Sequence, residues 1–264
     1  MKIGFIGTGN MGSALATAAA KTDAIIYLCN RTPAKAEALA KKLNCEVATA
    51  REIAATCDYI FLGVKPQLMA GLLAELAPTL KARTSPFTLV SMAAGLTIET
   101  IRKMAGGDYP VIRMMPKTPV AVGSGVILYD PSDNVTALAG FCQAMAQAGS
   151  LEPIPEKLMD AGSALSGCGP AFAAMFMEAL ADGAVACGLP RDKALTLAAQ
   201  TLRGTAQLLL ETGKHPAVLK DEVCSPGGST IQGVNALEEG GLRATAIAAI
   251  QAAYTRTKAL GNSK

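Results

Sequence analysis

Two stretches of this 264-residue chain have residue types and spacing suited to chemistry. The first is Gly7-Thr8-Gly9-Asn10-Met11-Gly12. It follows a strand-like run at residues 2–6 and opens an Ala-rich helical run reaching about residue 20. A second buried strand is expected over residues 24–29. In a strand–helix–strand unit each glycine of a G-x-G-x-x-G has its own task. Gly7 makes the turn, Gly9 lets a pyrophosphate approach the backbone, and Gly12 lets the helix pack on the sheet. A glycine-rich turn without a ligand is the plainer alternative. The second stretch is Ser225-Pro226-Gly227-Gly228-Ser229-Thr230, ahead of helical sequence at residues 231–239. A Gly-Gly turn opening a helix offers free N–H groups and the positive end of a helix dipole, a cradle for a carboxylate or phosphate. By itself, a tight helix–helix turn capped by Ser or Thr is the simpler reading.

The end of the second strand bears on which dinucleotide would bind. NAD-binding units usually place Asp or Glu there, on the ribose hydroxyls. This chain has Asn30-Arg31-Thr32-Pro33, with Lys35 close behind. No carboxylate repels a 2′-phosphate, and Arg31 can meet one with a bidentate pair. NADPH is therefore expected over NADH, with NADH still admissible. Arg31 also reads as an exposed helix-start residue, with Thr32 as N-cap and Pro33 at the first helical position.

Acid–base groups are scarce. The one histidine, His215, reads as a turn residue before a helix. Lys65 and Lys117 lie near strand ends, and Lys65 reads as positional. A substrate needing little help with protons fits this scarcity. An iminium C=N bond qualifies, because its nitrogen is protonated before a hydride arrives.

The totals exclude other classes. Net charge is +3, Trp is absent and aromatics are 4% of the chain. That argues against a nucleic-acid surface, which needs a basic stripe or stacking platforms. Seven scattered cysteines without a C-x-x-C pair suit reduced thiols in a cytosol, and one histidine makes a His-rich metal site implausible. No metal is expected. The first residues read as a core strand and not as a leader, so a cytoplasmic location is expected. The longest apolar run, residues 169–188, holds Glu178 and Asp182 near its middle. An Asp at mid-bilayer costs about 2.5–3.5 kcal/mol, so a buried helix is expected there and no membrane association.

Elements that would position these groups follow from periodicity. Repeated strand–helix alternation runs to residue 153 and implies a parallel sheet covered on both faces. Ligands of such sheets bind beyond the carboxyl ends of the strands. Gly7, Asn30, Lys65, the 93–95 segment and the 116–119 segment fall at such ends. After Pro155 strand signals stop, and long Ala/Leu/Met-rich helices begin, the first expected from Pro170 to about residue 187. That helix is apolar around most of its circumference and must be buried on more than one side, a natural dimer interface. The expected fold class is α/β: a Rossmann-type dinucleotide-binding domain over residues 1–153, then an all-α dimerisation domain over residues 154–264.

Taken together, the motifs resemble the pyrroline-5-carboxylate reductase family. The likeness spans nearly the whole chain in order. It includes the first glycine motif with Met11, Asn30-Arg31, Val64-Lys65-Pro66, Ala94-Gly95 and Arg113-Met114-Met115-Pro116. It continues through Ser166-Gly167-Cys168-Gly169-Pro170, Gly188-Leu189-Pro190, Leu219-Lys220-Asp221 and the 225–230 stretch, the family's most specific signature. The resemblance implies NAD(P)H-dependent reduction of Δ1-pyrroline-5-carboxylate to L-proline by an interlocked homodimer, often assembled further. It implies substrate-carboxylate contacts from Ser225, Gly227, Gly228 and Ser229, with the Thr230 hydroxyl near the ring nitrogen as the catalytic candidate. Cofactor contacts are implied for Gly7, Thr8, Gly9, Asn10, Met11, Gly12, Asn30, Arg31, Val64, Lys65, Pro66, Ala94, Gly95, Met115 and Pro116. It also implies that residues 166–170 start the long helix beside the substrate. Lys117 departs from the family pattern, which usually has Asn there. Two rivals are a β-hydroxyacid dehydrogenase and an idle NADP-binding regulatory protein. The first leans on a lysine in the long helix, and residues 170–187 contain none. The second leaves the 225–230 cradle unexplained.

Overall fold

The computed structural model describes residues 1–262; positions 263–264, the last of the expected helical domain, lie outside the described residues. The chain folds as two compact units, one of Met1–Gly167 with the segment from Tyr254 onward, the other Cys168–Ala253.

The first unit is built on eight strands and six helices before residue 154. In order they are β1 (Lys2–Ile6), α1 (Asn10–Ala19), β2 (Ile25–Cys29), α2 (Pro33–Leu43), β3 (Glu46–Val47), α3 (Ala50–Thr56) and β4 (Tyr59–Leu62). Then come α4 (Pro66–Ala82), β5 (Thr88–Ser91), α5 (Ile98–Ala105), β6 (Val111–Met115), β7 (Gly125–Pro131), α6 (Leu138–Met145) and β8 (Gly149–Pro153). The sheet order is β3-β2-β1-β4-β5-β6-β7-β8. From β3 to β6 every pairing is parallel. The sheet is not parallel throughout, as the alternation implied. β7 runs antiparallel to β6, and β8 is parallel to β7. The reversal has a local cause. A short 3-10 turn at Thr118–Val122 replaces a crossover helix, and Gly123, at φ +72°, turns the chain back.

The middle strands β4, β5 and β6 are buried at every residue, as a sheet with helices on both faces requires. One face carries Ile3, Phe5, Leu15, Leu28, Phe61, Ile112 and Phe141, and the other Ile6, Ile53, Ile60, Leu62, Leu73 and Leu89. Helix starts follow the local chemistry. Thr49 and Glu52 form a reciprocal capping box on α3, Pro66 begins α4 at a position where its missing N–H costs nothing, and Thr97 caps α5.

The second unit is helical. α7 (Met159–Ala186) starts in the first unit, and α8 (Arg191–Thr212), α9 (Pro216–Glu222), α10 (Ser229–Glu239) and α11 (Leu242–Asn262) follow. Two expectations about α7 are corrected. The helix starts 11 residues before Pro170, which lies inside it. An interior proline costs about 3 kcal/mol, but it removes one N–H only. The preceding segment buries Met159 and Ala164 completely, and that tertiary burial outweighs the local penalty. The helix is also not buried in the single chain. The 31-residue span Glu156–Ala186 is long and apolar enough to cross a bilayer, yet only 11% of its most apolar window is covered. Within the second unit the tightest packing is a small cluster of Ala181, Ala194 and Ala198 with Val185 and Leu189.

Candidate active site

The glycine loop between β1 and α1 is held from three directions. The Gly7 N–H donates to the Cys29 carbonyl at 2.8 Å, joining it to β2. The Thr8 N–H donates to Asn30 Oδ1 at 3.2 Å, and Ser13 Oγ donates to the Thr8 carbonyl at 3.0 Å. Gly7 has φ +106°, and a Cβ on it would lie 2.5 Å from the Gly63 carbonyl oxygen. A Cβ on Gly12 would collide with the Gly7 carbonyl oxygen. These two glycines are therefore required by the fold itself. Gly9 is different. A Cβ there would meet nothing within 4 Å, and its φ of −70° suits any residue. Beside it, Thr8 Oγ1 is buried with no hydrogen-bond partner among the described residues. Open space, an unpartnered hydroxyl and the start of α1 together fit a ligand that brings oxygen atoms, as a pyrophosphate does.

Asn10 and Met11 open α1, exposed and half-buried respectively. Asn30 acts through the loop, since its Nδ2 also donates to the Thr32 carbonyl at 3.2 Å. Arg31 is exposed at the start of α2 with Lys35 nearby. Thr32 makes no side-chain cap bond, and α2 has no acidic residue in its first turn. That helix start is accordingly electropositive and unfilled by the protein's own side chains.

The other strand ends gather at the same edge of the sheet, because β1, β2, β4, β5 and β6 run in one direction. Val64, Lys65 and Pro66 lead from β4 into α4, with Lys65 as its N-cap. Ala94 and Gly95 are exposed in the turn after β5, where Gly95 has φ +74°. Met115 and Pro116 are buried at the end of β6. Lys117 then runs over α7: a Cβ added to Gly167 would lie 2.7 Å from Lys117 Nζ and 3.2 Å from its Cε. A glycine at 167 is what leaves room for this lysine.

In the second unit, Ser225 and Gly228 close a turn through a Gly228 N–H to Ser225 carbonyl bond of 3.0 Å. Gly227 takes φ +69°. Gly228, and neither Ser nor Thr, is the N-cap of α10, so no side chain caps this helix. Its first-turn N–H groups, including those of Ser229 and Thr230, have no partner within the helix, and both residues are exposed. This is not the Ser- or Thr-capped turn of the simpler reading. His215 does serve as a cap, with Nδ1 accepting the Ala217 N–H at 3.2 Å.

Sequence reasoning missed one polar cluster. Arg113, on β6, has a side chain only 5% exposed, and its Nη1 lies 3.0 Å from Glu156 Oε1. Asp160 Oδ1 is 4.0 Å from Nη2, and Arg113 Nε has no partner among the described residues. The Glu156 N–H donates to Asp130, which faces Arg113 across the β6–β7 pair. Burial, with the nearby Glu156 carboxylate, raises the Asp130 carboxyl above the usual range, while the Glu156 N–H and Arg113 oppose the rise. Arg113 was singled out only as part of a motif. Its partner lies 43 residues away, with nothing in the spacing to signal it.

No group of three His, Cys, Asp or Glu among the described residues is arranged to hold a metal ion.

The chain is similar to known proteins along its whole length. Residues 156–260 match the family model described as pyrroline-5-carboxylate reductase dimerisation, and residues 2–95 match NADP oxidoreductase, coenzyme F420-dependent. A pyrroline-5-carboxylate reductase of Escherichia coli is 38% identical over 269 aligned residues, covering 99% of both chains. A solved pyrroline-5-carboxylate reductase of Coxiella burnetii superposes with a TM-score of 0.89 at 31% identity, covering 98% of this chain and 97% of that one. A Plasmodium falciparum pyrroline carboxylate reductase, solved with NADP bound, superposes with a TM-score of 0.81 at 31% identity, covering 99% of this chain and 98% of that one.

Proposed function

This chain belongs to the pyrroline-5-carboxylate reductase family, and on that premise we propose that it reduces Δ1-pyrroline-5-carboxylate to L-proline with NADPH, the last step of proline biosynthesis. The observation that carries the reading is the open space over Gly9 beside the unpartnered Thr8 hydroxyl. It occurs in a chain whose likeness to reductases runs from end to end.

In this reading residues 7–12 hold the pyrophosphate, and Arg31 at the uncapped start of α2 takes the 2′-phosphate. NADH is a second, weaker donor for want of that contact. Val64, Lys65, Pro66, Ala94, Gly95, Met115 and Pro116 bound the rest of the cofactor. Ser225, Gly227, Gly228 and Ser229 hold the substrate carboxylate on the free N–H groups that begin α10. Thr230 places its hydroxyl at the ring nitrogen. When bound, NADPH supplies a hydride equivalent. The C=N bond accepts it at its carbon, on the far side of the nitrogen from the carboxylate-bearing carbon, and the π electrons pass to a nitrogen already protonated, which leaves a secondary amine. No strong side-chain acid is needed. The protein's share is orientation, which in well-held cases removes about 7–11 kcal/mol of barrier.

We place the cofactor domain at residues 1–153 and the helical, self-associating domain at residues 154–264, acting as a cytoplasmic homodimer or larger assembly. The dimerisation match over residues 156–260 supports self-association.

Purified protein mixed with NADPH and pyrroline-5-carboxylate is expected to lose nicotinamide absorbance and yield proline. Thr230→Ala is expected to lower turnover by roughly tenfold or more, the effect of one lost hydrogen bond to a charged group, with little change in NADPH affinity. Wild-type protein that binds NADPH but oxidises none would point to the idle binder instead. A Thr230→Ala variant with full turnover would remove Thr230 from the reaction.

A further inference from the structure

Glu156 sits just ahead of α7 and belongs to neither glycine motif. Its Oε1 is a shared acceptor. It takes the Ile98 N–H at 2.9 Å and the Arg113 guanidinium at 3.0 Å. Its own N–H donates to Asp130 on β7. One residue therefore ties α5, β6 and β7 together, across sequence separations of 58, 43 and 26 residues.

Where those ties land is informative. Ile98 is the first residue of α5, three residues after Gly95 and next to the Thr97 N-cap. Arg113 lies two residues before Met115 on β6. Ile98 and Arg113 thus lie three and two residues from segments assigned to the cofactor, and each is one bond from Glu156 Oε1. Arg113 is buried, so removing the Glu156 charge leaves a guanidinium in a poorly solvated site with Asp160 4.0 Å away.

We propose that Glu156 is a positioning residue for hydride transfer: its shared oxygen holds the 94–95 turn and the end of β6 at a fixed spacing, and so orients the half of the cofactor that reacts. The proposal rests on the reading that these two segments bound NADP(H). It concerns the reactive half alone, because the adenosine end is assigned to Arg31 and the glycine loop, which Glu156 does not touch.

Two variants test it in the full-length protein. Glu156→Gln keeps an acceptor for Ile98 and removes the charge facing Arg113. Ile98→Pro deletes the donating N–H at a first helical position that tolerates proline, behind a Thr97 already extended at φ −79° and ψ 162°. Turnover and the dissociation constants of NADPH and of 2′,5′-ADP are measured for each. The 2′,5′-ADP probe carries the adenosine end and no nicotinamide. Glu156→Gln is expected to lose about 10²-fold in kcat, the scale of a misplaced reacting group. Ile98→Pro is expected to lose on the order of tenfold, since one of the two ties survives. In both, 2′,5′-ADP affinity stays within about twofold of wild type while NADPH binds more weakly, because only the reactive half has lost its support. Unchanged kcat in a folded Ile98→Pro variant overturns the proposal. So does an equal loss of NADPH and 2′,5′-ADP affinity in either variant, the mark of general damage. The binding ratio is read without turnover. A wild-type protein inactive on pyrroline-5-carboxylate therefore defeats the assigned reaction, while the ratio still decides the role of Glu156.

Discussion

Arg31 is exposed at the start of a helix whose first turn has no acidic residue and no side-chain cap. A 2′-phosphate there would gain a charge-assisted hydrogen bond of about 1.5–3 kcal/mol, roughly a 10–150-fold difference. Arg31→Ala is expected to raise the KM for NADPH by at least about tenfold and leave that for NADH nearly unchanged. Parallel increases for both cofactors would remove the 2′-phosphate from Arg31. Asp130 allows a stability test at the same scale. In the folded chain its carboxyl is raised, so the folded state keeps a proton that the unfolded chain has already released. Its contribution to stability falls as pH rises from the unfolded value of about 3.9 through the raised folded value. Asparagine cannot titrate. The Tm of Asp130→Asn relative to wild type is therefore expected to become more favourable as pH rises above the unfolded value of about 3.9. A difference that stays flat, or moves the other way, contradicts the raised carboxyl. The residues of the glycine loop and Arg31 were legible from type and spacing. Glu156 was not, because its partners come from chain segments 43 and 58 residues away.

At the scale of the element, two glycines of the same motif separate folding from binding. A Cβ on Gly12 would strike backbone, the Gly7 carbonyl oxygen, which cannot step aside without moving β1 from α1. Gly12→Ala is expected to cost about 1–3 kcal/mol or more, seen as a lower Tm with or without cofactor. Gly9→Ala adds a methyl group to open space at an ordinary φ. It should keep the wild-type Tm and weaken NADPH binding by about tenfold or more, since the backbone can no longer approach the pyrophosphate. Calorimetry and cofactor titration on the two variants check the contrast. A Gly9→Ala protein that binds NADPH normally would place the pyrophosphate elsewhere. The helix α7 shows the limit of local rules. Proline and two nearby glycines mark a helix start near residue 170 by propensity, yet Met159 and Ala164 are fully buried and carry the helix through. Propensity is a weak prior where tertiary burial opposes it.

For the molecule as a whole, the helical unit leaves much apolar surface uncovered in one chain. Met175 is 68% exposed, Leu210 81% and Ile247 59%. All three residues fall inside the dimerisation match, where a partner chain would cover them. Met175→Glu is expected to shift the protein to a smaller assembly, because an unpaired charge buried at an interface costs several kcal/mol. Light scattering reads the change, and an unaltered mass would place Met175 outside the contact. The alternation of strands and helices, the glycine loop, the carboxylate-free end of β2 and the apolar character of α7 were all written in residue type and period. They are local, so the sequence by itself determined the Rossmann-type sheet, the nucleotide-binding edge and the family. Only the tertiary structure decided that β7 runs backwards, that Pro170 lies within a helix, that Gly9 faces open space while Gly12 does not, and that Glu156 joins α5 to β6. Each of these depends on what distant segments place beside a residue, and a linear pattern does not carry that information.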